Sequence, residues 1–156
     1  MNRRSLAKGF TLVEILIVVV ILGILAAIVI PQFSNASESA KVSSLQSQLQ
    51  TIRSQVELYK NQHNGDFPTA DGLWNGTWDW AKMTETTDVN GATTGNDYGP
   101  YLQSAPVNGV NNQSAVGTAA GASVGWVITA TGKITAAIPT TYSAESDIPA
   151  SDKTTY

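Results

Sequence analysis

Few side chains in this sequence have the types and spacing that chemistry needs. The most suggestive string is Gly121-Ala122-Ser123-Val124-Gly125. It spells G-x-S-x-G, the elbow that lifts a serine hydroxyl toward a histidine base supplied from later in the chain. The only histidine, His63, comes earlier, and the string lies in a glycine- and alanine-rich run where chance supplies such matches. At a helix end, His63 reads instead as a partner for the helix dipole. The absence of cysteine excludes a thiol nucleophile, a thiolate metal site and any disulfide. No phosphate loop, dinucleotide fingerprint or histidine metal motif occurs. Asn35-Ala36-Ser37, Asn75-Gly76-Thr77 and Asn112-Gln113-Ser114 fit the glycosylation sequon, which carries little weight in a chain so rich in Asn, Ser and Thr. The chain therefore reads as a non-enzyme with no catalytic residue. What remains is Glu14, the sole charge between positions 10 and 30.

The element that must hold Glu14 is apolar. Residues 1–9 carry Arg3, Arg4 and Lys8 and no acid, and residues 10–30 are interrupted only by Thr11, Glu14 and Gly23. As a helix rising ~1.5 Å per residue, that run spans roughly 31 Å, against ~30 Å for a bilayer core. Basic residues on the amino side predict a cytoplasmic N-terminus with the remainder outside. A secretory signal peptide is the alternative, but its apolar region is only ~7–15 residues long. A carboxylate toward mid-bilayer also costs up to ~2.5–3.5 kcal/mol on insertion scales, so Glu14 asks for a partner. Both features weigh toward a retained membrane helix.

The residues here carry a resemblance. Lys8-Gly9-Phe10-Thr11-Leu12-Val13-Glu14, then Ile15-Leu16-Ile17-Val18 and on through Ile24-Leu25-Ala26-Ala27-Ile28-Val29-Ile30-Pro31-Gln32-Phe33, resembles the leader and helix of the type IV pilin superfamily. The resemblance implies cleavage by a prepilin peptidase between Gly9 and Phe10, then methylation of the new Phe10 amine. It also implies that Glu14 pairs with the N-terminal amine of a neighbouring subunit during assembly. Physics agrees: a cationic amine and a carboxylate, both partly desolvated, offset each other's penalty when brought together in low dielectric.

Past Pro31, Val42, Leu45, Leu49, Ile52, Val56 and Tyr59 recur three and four apart on an otherwise polar segment. This narrow stripe fits a coiled-coil seam or, better over so short a run, a strip on which the following residues pack. Arg53 and Glu57 are spaced for an i,i+4 pair in its weaker order. Asn64-Gly65 and then Pro68 supply the stop. One helix over 10–63 would be roughly 80 Å long. A kink or break is expected at Pro31, with local weakness at Gly23.

Residues 64–156 change character, holding 11 of the 13 glycines and Lys82, Lys133 and Lys153 against nine acids. With a net charge of −3 for the chain and no basic cluster beyond residue 8, nucleic acid is excluded as a partner. Asn-Gly steps at Asn64, Asn75, Asn90 and Asn108 predict turns. Trp74, Trp78 and Trp80 read as a small core over the helix stripe, with a carbohydrate or partner platform as the alternative. Segments 126–129 and 133–138 predict a hairpin across Ala130-Thr131-Gly132, and a third strand is placed near 98–102. Segment 107–125 reads as an irregular loop and the tail beyond Pro139 as polar and weakly patterned. The expected fold is α+β: a long N-terminal helix, membrane-spanning over its first half, with a small antiparallel sheet on its second. Its divisions are a leader at 1–9, an assembly helix at 10–30, an amphipathic continuation at 31–63 and a head at 64–156.

The function expected from these parts is mechanical: a subunit that polymerises into a filament through its helices, as a helical homopolymer of itself. The stretch 48–60 resembles major, G-type pseudopilins of type II secretion systems, which implies a role in protein export. An adhesive or motility pilus and a membrane-tethered binding module are the alternatives. The resemblance further implies an inner-membrane subunit, single-pass with its head in the periplasm or outside, that leaves lipid for an assembly platform and minor pilins or pseudopilins. No cofactor is expected, although the resemblance raises calcium, for which Asp147, Ser151 and Asp152 offer suitable oxygens.

Overall fold

A computed structural model describes residues 9–73, 77–129 and 131–156, apart from the side chain of Asn35. The basic leader residues Arg3, Arg4 and Lys8, the Asn75-Gly76 step, Trp74 and Ala130 lie outside the described residues. Helix α1 runs over Leu12–Gln62, 51 residues without interruption. The chain divides into two compact units between Glu38 and Ser39.

In the first unit the helix buries nothing. Every large apolar side chain from Phe10 to Phe33 is exposed, Phe10 by 84% and even the least exposed, Val29, by 40%. Among the described residues α1 is the one helix long and apolar enough to cross a membrane. At ~25 cal/mol per Å² of apolar surface, such a face is held in water only at large cost and calls for lipid or other helices. Pro31 lies inside the helix, so the expected break does not occur. The ring removes a donor that the carbonyl one turn earlier would use, and helical geometry continues on both sides.

The second unit is organised by the stripe. Val42, Leu45, Leu49, Ile52, Val56 and Tyr59 are all buried, and they form one core with Met83, Trp126, Ile128, Ile134, Ala136, Ile138, Ala144 and Ile148. The strip therefore packs on the residues that follow it. Asn64 adopts a left-handed φ of 57°, and Gly65 N–H donates to the Lys60 carbonyl at 2.8 Å. That bond is the 6→1 closure of a Schellman end, so the helix stops where the sequence says. A one-turn helix, α2 (Ala81–Thr84), follows and buries Met83.

The sheet contains β1 (Val116–Gly117), β2 (Trp126–Ile128), β3 (Ile134–Ile138) and β4 (Lys153–Thr155), in that spatial order. The expected hairpin is present as the antiparallel β2–β3 pair with Val127 opposite Thr135. Gly132 has a φ of +77°, and a Cβ there would meet the Phe67 ring at 2.8 Å. The α+β class holds, but the sheet is mixed: β1 joins β2 in parallel and β4 joins β3 in parallel. Segment 98–102 forms no strand, only a single bridge between Thr87 and Tyr98, because Gly99 takes φ +81° and Pro100 has no N–H to donate. Segment 107–125 is ordered by asparagines. Buried Asn108 donates through Nδ2 to the carbonyls of Gly125 and Ala137 at 2.8 and 2.9 Å, and Asn111 Nδ2 donates to Val124 at 2.8 Å. Of the remaining predicted turns, Gly91 takes φ +76°, whereas at Asn108-Gly109 the left-handed residue is instead Asn112.

Trp78 and Trp80 pack edge to face, 5.2 Å between centroids, against the core. Trp80 Nε1 donates to the Ser114 carbonyl at 2.8 Å. These two belong to the small core, while among the described residues the fully buried tryptophan is Trp126. Burial, then the neighbouring Tyr101, then Asp66, Asp79 and Asp88 push the Tyr59 phenol up to about 12. The unfolded chain ionises near 10, so between 10 and 12 the unfolded state loses its proton first and gains stability relative to the fold. A fall in denaturant midpoint across that window is expected, and Tyr59→Phe should flatten it. An equally steep fall in the variant would exclude Tyr59 as the cause.

Candidate assembly site

The first described residues build a small polar device at the head of an apolar helix. Gly9, Phe10 and Thr11 precede α1 and are not helical. Thr11 N–H donates to Glu14 Oε2 at 2.8 Å, and Thr11 Oγ1 donates to the same oxygen at 2.7 Å. In return Glu14 N–H donates to Thr11 Oγ1 at 3.2 Å. With Leu12 as the first helical residue, Thr11 is the N-cap and Glu14 the third position, which is a capping box. The carboxylate also lies against the positive end of the helix dipole. The pattern Thr11-x-x-Glu14 was legible in the sequence as a capping signature, yet reading Glu14 as a lone charge in search of a partner overlooked it. Phe10 and Glu14 are exposed. Gly9 has open space where a side chain would stand.

The other singled-out residues fall elsewhere. Ser123 is exposed. His63 is fully buried and stacked on Tyr59, 3.8 Å between centroids. Its Nδ1 carries a proton to the Tyr59 carbonyl at 2.8 Å, and its Nε2 bonds Thr87 Oγ1 at 2.9 Å. The histidine is a core residue bonded to a last-turn carbonyl, with neither ring nitrogen left for a serine.

The calcium candidates are divided. Asp147 closes a single 3-10 turn, Glu145–Asp147, and Ser151 is exposed. Asp152 is engaged by Arg53, whose Nη1 donates to Oδ1 at 2.8 Å. That hydrogen bond, with the guanidinium charge, the Ser151 hydroxyl and the charge of Lys133, holds the Asp152 carboxyl below the usual carboxylate range against the opposing effect of burial. Arg53 thus ignores Glu57, which pairs with Lys60 at 3.0 Å. Among the described residues, no three His, Asp or Glu side chains converge to hold a metal ion.

Comparison with known proteins bears on the same N-terminal region. Residues 4–30 match the family described as the prokaryotic N-terminal methylation motif. Over 73 residues the chain is 42% identical to the type II secretion system core protein G of Pseudomonas aeruginosa, covering 47% of this chain and 51% of that protein. Over 54 residues it is 50% identical to the type IV major fimbrial protein FimA of Dichelobacter nodosus, covering 35% of each. Over 68 residues it is 38% identical to the type IV narrow pilus major component PilA5 of Thermus thermophilus, covering 44% of this chain and 58% of that one. The chain spans between about a third and three fifths of the length of these curated relatives. No solved structure matches. The methylation motif, the identity that continues beyond it and the long helix with its small sheet make the N-terminal half of the chain similar to type IV pilins and to type II secretion core protein G.

Proposed function

We propose that this chain is the structural subunit of a type IV pilus-like filament, and that the filament is a type II secretion pseudopilus acting in protein export. The observation that carries the reading is the exposed apolar helix with one carboxylate in its first turn. Such a surface is inert in lipid and, once extracted, is covered only by copies of itself, while the acidic heads stay wet. The G-type assignment is supported by the 42% identity to core protein G, which covers 47% of the chain against 35% for the fimbrial match. A surface pilus is the second reading, favoured by the likeness to FimA and PilA5.

In this reading a prepilin peptidase cuts between Gly9 and Phe10, in backbone that is not yet helical and so can extend into a protease cleft. The new Phe10 amine is methylated and meets Glu14 of a neighbouring subunit. The precursor is single-pass in the inner membrane with its N-terminus cytoplasmic. It is handed to an assembly platform together with minor pilins or pseudopilins. No cofactor and no catalysis enter. Co-expression with a prepilin peptidase and a type II assembly system should yield a product that begins at methylated Phe10 and pellets as filaments. A product that retains residues 1–9 and stays in the membrane fraction would overturn the proposal in favour of a tethered binding module. Dependence of assembly on a pilus system instead would select the second reading.

A further inference from the structure

The guanidinium of Arg53 gathers oxygens from two distant segments. Nε donates to the Ile134 carbonyl at 2.8 Å, Nη1 to Asp152 Oδ1 at 2.8 Å and Nη2 to the Ser151 carbonyl at 3.3 Å. Ile134 opens β3, while Ser151 and Asp152 lead directly into β4. The pair is partly shielded, with Arg53 and Asp152 side chains 27% and 20% exposed, so water screens it less than an ordinary surface pair.

β4 needs such help. It is a three-residue edge strand in parallel pairing, which by itself is among the weakest arrangements a sheet offers. It also exposes no apolar side chain to the core: its burial is partial at Lys153 and Thr154 and lost at Thr155. The surrounding backbone is arranged around Asp152, whose carbonyl accepts Ala136 N–H at 2.8 Å and whose N–H donates to Pro149 at 2.8 Å. Lys153 adds a second clamp, bonding the Glu145 carbonyl at 2.7 Å and pairing with the Glu145 carboxylate.

We propose that Arg53 is the head's internal cation, closing the C-terminal strap 144–156 onto the helix and β3 as a bound metal ion otherwise would, so that folding of the strap requires no divalent cation. A planar fork suits three acceptors fixed in direction, which a lysine ammonium does not satisfy in the same way. Two of the residues whose oxygens suggested calcium, Ser151 and Asp152, are the ones that accept from this fork. A divalent ion placed on them would have to displace a guanidinium or sit beside one. The proposal is independent of which filament, if any, the chain builds.

The test uses the full chain in detergent micelles, with thermal unfolding followed in millimolar calcium chloride and in EDTA, and amide exchange as a second readout. The wild-type melting temperature should be the same in both solutions. Arg53→Ala should lower it by roughly 10 °C, and Arg53→Lys by about half as much. In Arg53→Lys the Ala136 and Tyr156 amides, which bond the strap and β3 to each other, should exchange at least tenfold faster, while the Thr129 amide of the hairpin stays protected. The lysine variant keeps the test decisive even where the alanine variant does not fold. A wild-type melting point raised by calcium, or unchanged protection of Ala136 and Tyr156 in Arg53→Lys, would overturn the proposal.

Discussion

Glu14→Ala is expected to leave membrane insertion and removal of residues 1–9 intact while reducing sedimentable filament to background. Removing one partner of a desolvated ion pair costs about 3–5 kcal/mol because the other charge is left bare. Every 1.4 kcal/mol is tenfold in an association constant, so each subunit contact weakens by more than about a hundredfold, and the loss repeats along the polymer. Before assembly the carboxylate is not bare, since Thr11 supplies two hydrogen bonds to it. Deleting Glu14 therefore removes the acidic half of the capping box and also removes a charge from an apolar segment, two effects of opposite sign that leave the proposed insertion nearly unchanged. Thr11→Val is the control. It removes the hydroxyl and spares the acid, so it should cost only about 0.5–2 kcal/mol of capping and lower filament yield without abolishing it. Yield is read by sedimentation and immunoblot, and processing by the mass of the mature chain. Filaments from Glu14→Ala at the wild-type level would remove the assembly role assigned to this residue.

What could be read from the sequence tracks how local the deciding forces are. The stripe from Val42 to Tyr59 was legible because a helix converts spacings of three and four into one face, and all six residues are buried. The helix stop at Asn64-Gly65 and the β2–β3 hairpin were equally local. β4 was not legible: Lys153-Thr154-Thr155 holds no apolar residue, and the residues at its start are bonded to Arg53 and Glu145, which no local pattern brings to them. Arg53 shows the same limit at one residue, since its sequence neighbour Glu57 offered a pair and the fold supplied a more distant one. The buried Asn108 likewise owes its place to a partner 29 residues along the chain. The assembly site is a different case. Phe10 and Glu14 were found through a resemblance, whereas the bond linking Glu14 to Thr11 follows from a local capping rule and needed no family.

Trp126→Ala should have the largest effect on the stability of the head. Trp126 is fully buried at the start of β2, in the same core as Leu49, Ile52 and Met83. Its Nε1 also donates to the Pro106 carbonyl at 2.9 Å. Truncating a buried tryptophan costs about 3–5 kcal/mol through lost burial and the cavity left behind, and the stranded carbonyl adds about 1 kcal/mol or more. Against a total stability of about 5–15 kcal/mol for a domain, that loss takes most of the reserve. The site leaves little room for backbone relaxation. Immediately before it, a Cβ on Gly125 would run into the Gln113 carbonyl and lie 3.1 Å from Ser114 N, so the backbone is closely packed at this point. Denaturant unfolding of the full chain in micelles, followed by far-UV circular dichroism, should show the head transition at a much lower midpoint while the signal of the apolar helix persists. Trp126→Phe keeps most of the volume and loses the hydrogen bond, and should fall between the two. A midpoint within experimental error of wild type for Trp126→Ala would mean that the core rests on the stripe and β3 alone. A collapse of the helical signal together with the head would mean that the apolar segment depends on the head for its own stability, against the expectation that lipid-like surroundings suffice for it.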